Sequence, residues 1–249
     1  MIFSTISIFP ELFDSLTNYG ISGRAFKNNI CQLTRFNPRD FTQDTYHRID
    51  DKPFGGGPGM VMKVEPLELA LEAATTHMQS CGIAKPLRIS LSPQGIVADQ
   101  ALINQLALED GIIFVCGRYE GIDERFTETH IDMEISIGDF VVSGGELPTM
   151  LLIDGIIRHL PGVLNDQESA VRDSFMNGLL DYPHYTQPRE HRGLKVPDVL
   201  LSGDHKQIEL WRLQMSLWRT YQRRPDLLEK RVLTKLESRL LLELSRNKI

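Results

Sequence analysis

Between Gly111 and Gly117 the chain reads Ile-Ile-Phe-Val-Cys, an unbroken apolar run with a glycine on either side. A short run of this kind, without polar alternation, fits a strand covered on both faces, which is how strands of parallel sheets read. It passes directly into Gly117-Arg118-Tyr119-Glu120-Gly121. A second strand-like segment, Ile131–Ile137, ends at Gly138, and a third, Phe140–Val142, ends in Ser143-Gly144-Gly145. Two or three strands therefore end in glycine-bearing loops that can share one edge of a sheet. In open α/β sheets, ligands bind in the crevice beyond the strand ends, and glycine lets main-chain groups approach a ligand closely. Taken singly, each of these glycines reads as a turn. Taken with the charged and aromatic residues between them, the loops read as a site.

The segments before this stretch support a parallel sheet. Glu65–His77 carries Leu67, Ala70, Leu71 and Ala74 on one helical face, and Leu87–Leu91 reads as a strand ending in the loop Ser92-Pro93-Gln94-Gly95. Asp99–Leu108 reads as a helix leading into Ile112. This helix–strand alternation argues for parallel α/β architecture. Ile2–Ile8 and Ile30–Phe36 are further strand candidates, and Pro10 suits a first helical turn. Pro38–Lys52 is a polar loop. The following Phe54-Gly-Gly-Gly-Pro-Gly-Met60 is neither a dinucleotide fingerprint, since no strand leads into it at the right spacing, nor a P-loop, since no GK[ST] follows.

Leu147–Leu160 is apolar on nearly every face and stops at Pro161-Gly162, as expected of a helix buried in the core or at a subunit interface. Arg158 lies in its last turn, where a cation offsets the helix dipole. Gly162–Asp173 is polar, lacks periodicity and reads as a linker. Beyond it, Leu201–Asp204 offers helix caps. Ile208, Trp211, Met215 and Trp218 follow at helical spacing as a core stripe, with Arg212, Arg219 and Arg223 on another face. Thr234 with Glu237 fits a capping box for a last helix.

Charge divides the chain. The net charge is −6, yet from Thr186 onward there are 14 Lys and Arg against 8 Asp and Glu, leaving the preceding residues at −12. Such asymmetry fits a cationic module on an acidic body, as well as a plainly solvated helical face. The three cysteines have no CxxC spacing, and the histidines form no HxxxH or HExxH. Reduced structural thiols and no zinc site are expected. The N-terminus lacks a cationic lead and no segment has the length of a membrane span, so a cytoplasmic protein is expected.

ISIFPELF, FGGGPGM, LSPQG, GRYEGIDER, SIGDFVVSGGELP and GLLDYPHYT occur here in order, and together they resemble the bacterial tRNA (guanine-N1)-methyltransferase family, TrmD, of the knotted SPOUT methyltransferases. The resemblance spans nearly the whole chain. It implies an α/β fold: a SPOUT-type parallel sheet flanked by helices with a deep trefoil knot, over residues 1–161. A linker (162–173) and a small, mainly helical tRNA-binding domain (174–249) then follow. General rules of topology do not lead to a knot. The implied cofactor is S-adenosyl-L-methionine, held in a bent shape largely by main-chain groups at Ser90, Leu91, Ser92, Pro93, Gly117, Tyr119, Glu120, Gly121, Ser136, Ile137, Gly138, Phe140, Val141, Val142, Gly144, Gly145 and Pro148.

The implied reaction is methylation of N1 of the guanine at tRNA position 37, 3′ of the anticodon and preceded by guanine. N1 carries a proton, so a base must remove it while negative charge builds toward O6. The resemblance assigns the base to Asp173 and the cation to Arg158. It places Gly59, Asp181, His184 and Tyr185 against the RNA, with the anticodon branch as partner. It also implies a homodimer whose active site draws on both subunits, and a dependence on Mg2+ for which no dedicated ligand set is visible. The sequence departs from the family pattern at Gln187, where Arg is expected, and at Asp204, where Asn is commoner. Ribose 2′-O-methylation, a non-catalytic tRNA-binding protein and a nucleotide-dependent oxidoreductase are the competing readings; the last lacks its fingerprint.

Overall fold

The Gly111–Val115 run is the third of five strands in a wholly parallel sheet. In chain order the strands of the first half are β1 (Ile2–Ile6), β2 (Gln32–Phe36), the short pair β3 (Asp50–Asp51) and β4 (Val61–Met62), β5 (Leu87–Val97), β6 (Gly111–Val115) and β7 (Met133–Ser136), and its first helices are α1 (Asp14–Asn18) and α2 (Gly20–Lys27). The five-stranded sheet has the order β2-β1-β6-β5-β7, and every neighbouring pair is parallel. This is the observed architecture in a computed structural model that describes residues 1–164 and 172–247. The chain divides into two units, Met1–Asn165 and Asp166–Ile249. The expected linker falls largely on 165–171, outside the described residues.

The central strand explains why its sequence does not alternate. Ile112, Ile113, Phe114 and Val115 are all fully buried. Ile112 and Phe114 join Phe3 in a cluster with Leu102 and Leu106 of α4 (Gln100–Leu106) and Leu152, Ile153, Ile156 and Ile157 of α6 (Glu146–Ile157). Ile113 and Val115 face the other way. They pack with Ile6, with Leu67, Ala70, Leu71, Ala74 and Met78 of α3 (Val64–Ser80), and with Phe126 of α5 (Glu124–His130). A strand covered on both faces needs apolar residues at both parities, each contributing about 1.5–3 kcal/mol on burial.

Two expectations for the first unit change. Phe140–Val142 forms no strand; its residues are 56%, 82% and 36% exposed, in a loop where no ladder accepts their main chain. β5 does not end at Leu91. It resumes after a four-residue excursion, so that Leu91 and Ile96 both pair with Ile135. Gly95 permits this, because a Cβ there would lie 2.4–2.5 Å from the Glu134–Ile135 main chain. The mostly apolar helix α6 is buried along one side, while Leu147 and Leu151, one turn apart, are each 58% exposed.

One ion pair ties the lower ends of β5 and β7. Arg88 donates from Nε and Nη2 to the two oxygens of Asp132 at 3.0 and 2.7 Å, and its main-chain N donates to the same carboxylate at 2.9 Å. The Arg88 guanidinium hydrogen bond is the main reason the Asp132 carboxyl is held below its ordinary value. A lowered carboxyl pKa contributes stability above the ordinary Asp value, and that stability is lost as pH falls through the lowered pKa. Asp132→Asn is therefore expected to lower stability at neutral pH by roughly 1 kcal/mol or less, given the exposure of the pair. The gap to the native protein should close on acidification below about pH 4. Denaturant midpoints for both proteins across this range test it; a gap that does not change with pH would discard the ion-pair account.

The second unit is built on the helix His205–Arg223, the short helix Pro225–Glu229 and the helix Lys235–Asn247, with a hairpin of β8 (Glu190–His191) and β9 (Leu194–Lys195). Asp204 caps the first helix, accepting from the main-chain N of Lys206 and Gln207 at 3.0 and 3.2 Å. Thr234 and Glu237 form a reciprocal capping box, Thr234 N to Glu237 Oε2 at 2.7 Å and Glu237 N to Thr234 Oγ1 at 3.2 Å. The core is Leu179, Leu217 and Leu240, with Leu210 and Leu213 packed against it. The tryptophan stripe is thus not the buried one. Trp211 and Trp218 are half-buried, beside Tyr185 at 6.3 Å and Tyr221 at 5.7 Å between ring centroids. Leucines on the adjacent face fill the interior, since an indole keeps a polar edge that favours a partly wet position.

Candidate active site

The carboxyl ends of β5, β6 and β7 open into a cavity of about 330 Å³ in the first unit. Three loops build it. The excursion in β5 supplies Ser90, Leu91, Ser92, Pro93 and Gln94; the turn after β6 supplies Gly117 to Ile122; and the segment after β7 supplies Ser136, Ile137, Phe140, Val141, Val142, Ser143, Gly144 and Gly145, with Pro148 from α6. Of the residues expected to hold a methyl donor, Gly138 does not line it. Gly138 turns the chain instead, at φ +134, with its N and O bonded to Ser136 Oγ at 3.2 Å and its O accepting from Phe140 N at 2.9 Å.

The main chain is drawn tight around this space. Gly145 N donates to Gly117 O at 2.9 Å, and a Cβ on Gly145 would lie 2.9 Å from Cys116 Cα and 3.1 Å from Gly117 N. Tyr119 holds φ +62, a left-handed conformation uncommon for a bulky residue, and the residue is 45% exposed. Gly145→Ala is expected to force this main-chain contact apart, and overpacking of this kind costs typically about 1–3 kcal/mol. Ligand affinity at the cavity should fall tenfold or more with an otherwise folded chain, on the order expected from that cost. Calorimetric titration tests it, and unchanged affinity would mean that the tight approach does not shape the site.

Beneath the loops, Arg118 reaches the fully buried Glu146 at 2.8 Å. Neither was expected at the site. Both stand inside recognisable motifs, yet their pairing joins residues 28 apart and leaves no local signal. Gly59 and Glu120, expected on the RNA and donor sides respectively, are brought together: a Cβ on Gly59 would lie 2.3 Å from Glu120 Oε1, and Glu120 N donates to Met60 O at 2.9 Å. The FGGGPGM loop therefore borders the cavity loops directly.

The cysteines are apart from this chemistry. Burial pushes the Cys31 thiol up to about 11, and raises that of Cys116 further, with the nearby Glu146 carboxylate adding to it. Neither is poised as a nucleophile. Among the described residues no group of three or more His, Cys, Asp or Glu is placed to hold a metal ion.

Arg158 follows α6 as its C-cap, its main-chain N donating to Asp154 O at 3.2 Å. In the second unit, Asp173 is half-buried and its carbonyl accepts from Met176 N at 3.3 Å. It lines a cavity of about 180 Å³ with Asp181, Tyr182 and Arg212. Asp181 bonds His184 Nε2 at 2.8 Å, and the Arg212 guanidinium lies 4.9 Å from the Tyr182 ring centre. Tyr185 is half exposed beside Trp211.

The family model described as tRNA (Guanine-1)-methyltransferase TrmD matches residues 1–230. The chain belongs to the TrmD family. It is accordingly an enzyme of the methyltransferase class. Among curated TrmD-family relatives, a tRNA (guanine-N(1)-)-methyltransferase of Chromobacterium violaceum is 57% identical over 238 residues, 96% of this chain and 93% of its own length. Proteins of the same name from Pseudomonas syringae pv. tomato and Cupriavidus metallidurans are 56% and 50% identical, each covering 98% of this chain and 96% of the relative. Among the described residues, no helix of this TrmD-family chain is long and apolar enough to cross a membrane.

Proposed function

We propose that this enzyme methylates N1 of the guanine at position 37 of tRNA, immediately 3′ of the anticodon, when another guanine precedes it. The observation that carries the reading is the glycine-walled cavity at the strand ends, in a chain that matches one family along nearly its whole length. Its size falls in the range of small-molecule sites, and main-chain donors and acceptors flanked by Leu91, Ile137 and Val142 suit an adenine edge and its two faces. Bound S-adenosyl-L-methionine would supply the methyl group, on a sulfonium from which the guanine N1 lone pair can take it. Mg2+ has no dedicated ligand set among the described residues.

The chain's own part is proton transfer, charge stabilisation and positioning. Asp173 would accept the N1 proton, and Arg158 would face O6 as negative charge gathers there. The target base must leave its stack to reach such a site. Residues 174–249, carrying Asp181, His184, Tyr185 and the helix cations, would hold the anticodon branch through phosphates and exposed rings. Residues 162–173 would join this module to the catalytic domain, 1–161. The return of the chain through Gly145, pressed on Gly117, is the place where a trefoil knot would close. Exposed Leu147 and Leu151 suit burial against a second copy of the chain, whose residues would complete the site. The product would serve reading-frame maintenance in cytoplasmic translation.

The test is methyl transfer from labelled S-adenosyl-L-methionine to an unmodified transcript with adjacent guanines, followed by nucleoside identification. 1-Methylguanosine, lost when the target guanine is replaced, is expected. A ribose-methylated nucleoside would discard the Asp173 chemistry, and absence of product despite measured binding of both ligands would favour a binding protein.

A further inference from the structure

Glu146 is a carboxylate with no exposure at all, at the first position of a mostly apolar helix. An uncompensated buried charge costs several kcal/mol, so its partners define its purpose. It has two, from just past the ends of the neighbouring strands β1 and β6. Ser7 Oγ, just past β1 and itself fully buried, donates to Oε1 at 2.7 Å. Arg118 Nε, from the loop after β6, donates to Oε2 at 2.8 Å. The same guanidinium donates from Nη1 to Ser143 O at 3.1 Å and lies 4.7 Å from the Phe9 ring centre. It also lies flat on the main chain: a Cβ at Gly144 would come within 2.2 Å of Arg118 Nε.

Arg118, Ser143 and Gly144 all border the strand-end cavity. The carboxylate does not. It stands behind them at the start of α6: its bond to Arg118, with the Arg118 bond to Ser143 O, links the loop after β6 to the loop after β7, and its bond to Ser7 reaches β1. Packing alone would be served by an apolar side chain of the same volume, and often better. What an apolar residue cannot do is set the direction of a guanidinium fork.

We propose that Glu146 is a positioning residue. Through Arg118 it holds the Gly117–Gly121 and Ser143–Gly145 loops at the separation that the methyl donor requires, and Ser7 anchors this brace to β1. The proposal rests on the reading that S-adenosyl-L-methionine occupies the cavity.

The test uses the full chain, with calorimetric binding of S-adenosyl-L-methionine and separate binding of a tRNA transcript. Glu146→Gln keeps the volume but turns the charge-assisted bond to Arg118 into one with a neutral acceptor, while its amide can still donate to Ser7 Oγ. Arg118→Lys keeps a charge but cannot reach Glu146 and Ser143 O together. Each is expected to raise the donor Kd roughly tenfold or more, in the range of couplings between contacting residues, and the KM for donor with it. Transcript affinity and kcat at saturating donor should change little, while the thermal midpoint falls in both variants because a buried pair is weakened. The double variant should bind donor no worse than the weaker single variant, because both break one link.

Donor affinity equal to that of the native chain in both variants would overturn the proposal. So would a parallel fall of donor and transcript affinity, which marks a merely structural brace. If Glu146→Gln does not fold, Arg118→Lys, at a partly exposed position, decides by the same criteria. Failure of the native chain to bind the donor would instead remove the reading on which the proposal stands.

Discussion

Asp173→Ala lowers methyl transfer by about 10²–10⁴-fold, the usual worth of a positioned general base, while affinity for the methyl donor is unchanged. This is the expected result if Asp173 takes the proton from guanine N1. The half-buried carboxylate borders a cavity shared with Asp181 and Arg212, on a unit separate from the one that bears the glycine loops. On this assignment donor binding and proton transfer would fall to different parts of the chain and should separate in a variant. Activity of the variant should also rise as pH increases, because a base that ionises unaided no longer needs a protein group to take its proton. Steady-state kinetics across pH, with donor binding measured alongside, check both points. Equal loss of catalysis and donor binding would sink the assignment.

Arg158→Ala is expected to lower kcat by about 10²–10³-fold, the cost of removing one donor aimed at developing negative charge. Its place at the end of α6 gives a competing, bland role. A cation there offsets the helix dipole, worth about 0.3–1 kcal/mol of stability. The two roles predict different results. A dipole partner would lower the thermal midpoint slightly and leave turnover intact; a charge-stabilising group would lower turnover at nearly constant stability. Arg158→Lys refines the distinction. Lysine preserves charge at the helix end but not a planar fork, so it should restore stability fully and turnover only in part. Unchanged turnover in the alanine variant would refute the catalytic role.

The parallel sheet was legible because its determinants are local. Ile112 to Cys116 is apolar at both parities since helices cover both faces, and no other common architecture demands that of so short a run. Asp204 and the Thr234–Glu237 box were legible for the same reason, as capping is settled within four residues. The misreadings share a different cause. Phe140–Val142 has strand composition but no neighbour to pair with, and pairing is a property of the sheet, not of the segment. The excursion in β5 looked like a strand end because Ser-Pro-Gln-Gly is turn chemistry; that the ladder resumes at Ile96 depends on Ile135, 39 residues later. In the second unit, helical spacing identified a stripe but not which of two adjacent stripes faces the interior. The loops of the site could be read from their glycines, whereas the Ser7–Glu146–Arg118 brace could not, since it joins side chains 139 and 28 residues apart.

The doubled pairing of Ile135 has a consequence for how such a protein can change over time. Because Leu91 and Ile96 return to the same partner, everything between them is a detour whose length the ladder does not record. Residues can be added to or removed from Ser92–Gln94 without sliding β5 against β7, and so without turning any core side chain outward. The lip of the cavity is thus a module that selection, or an engineer, can rewrite while the sheet beneath it stays in register.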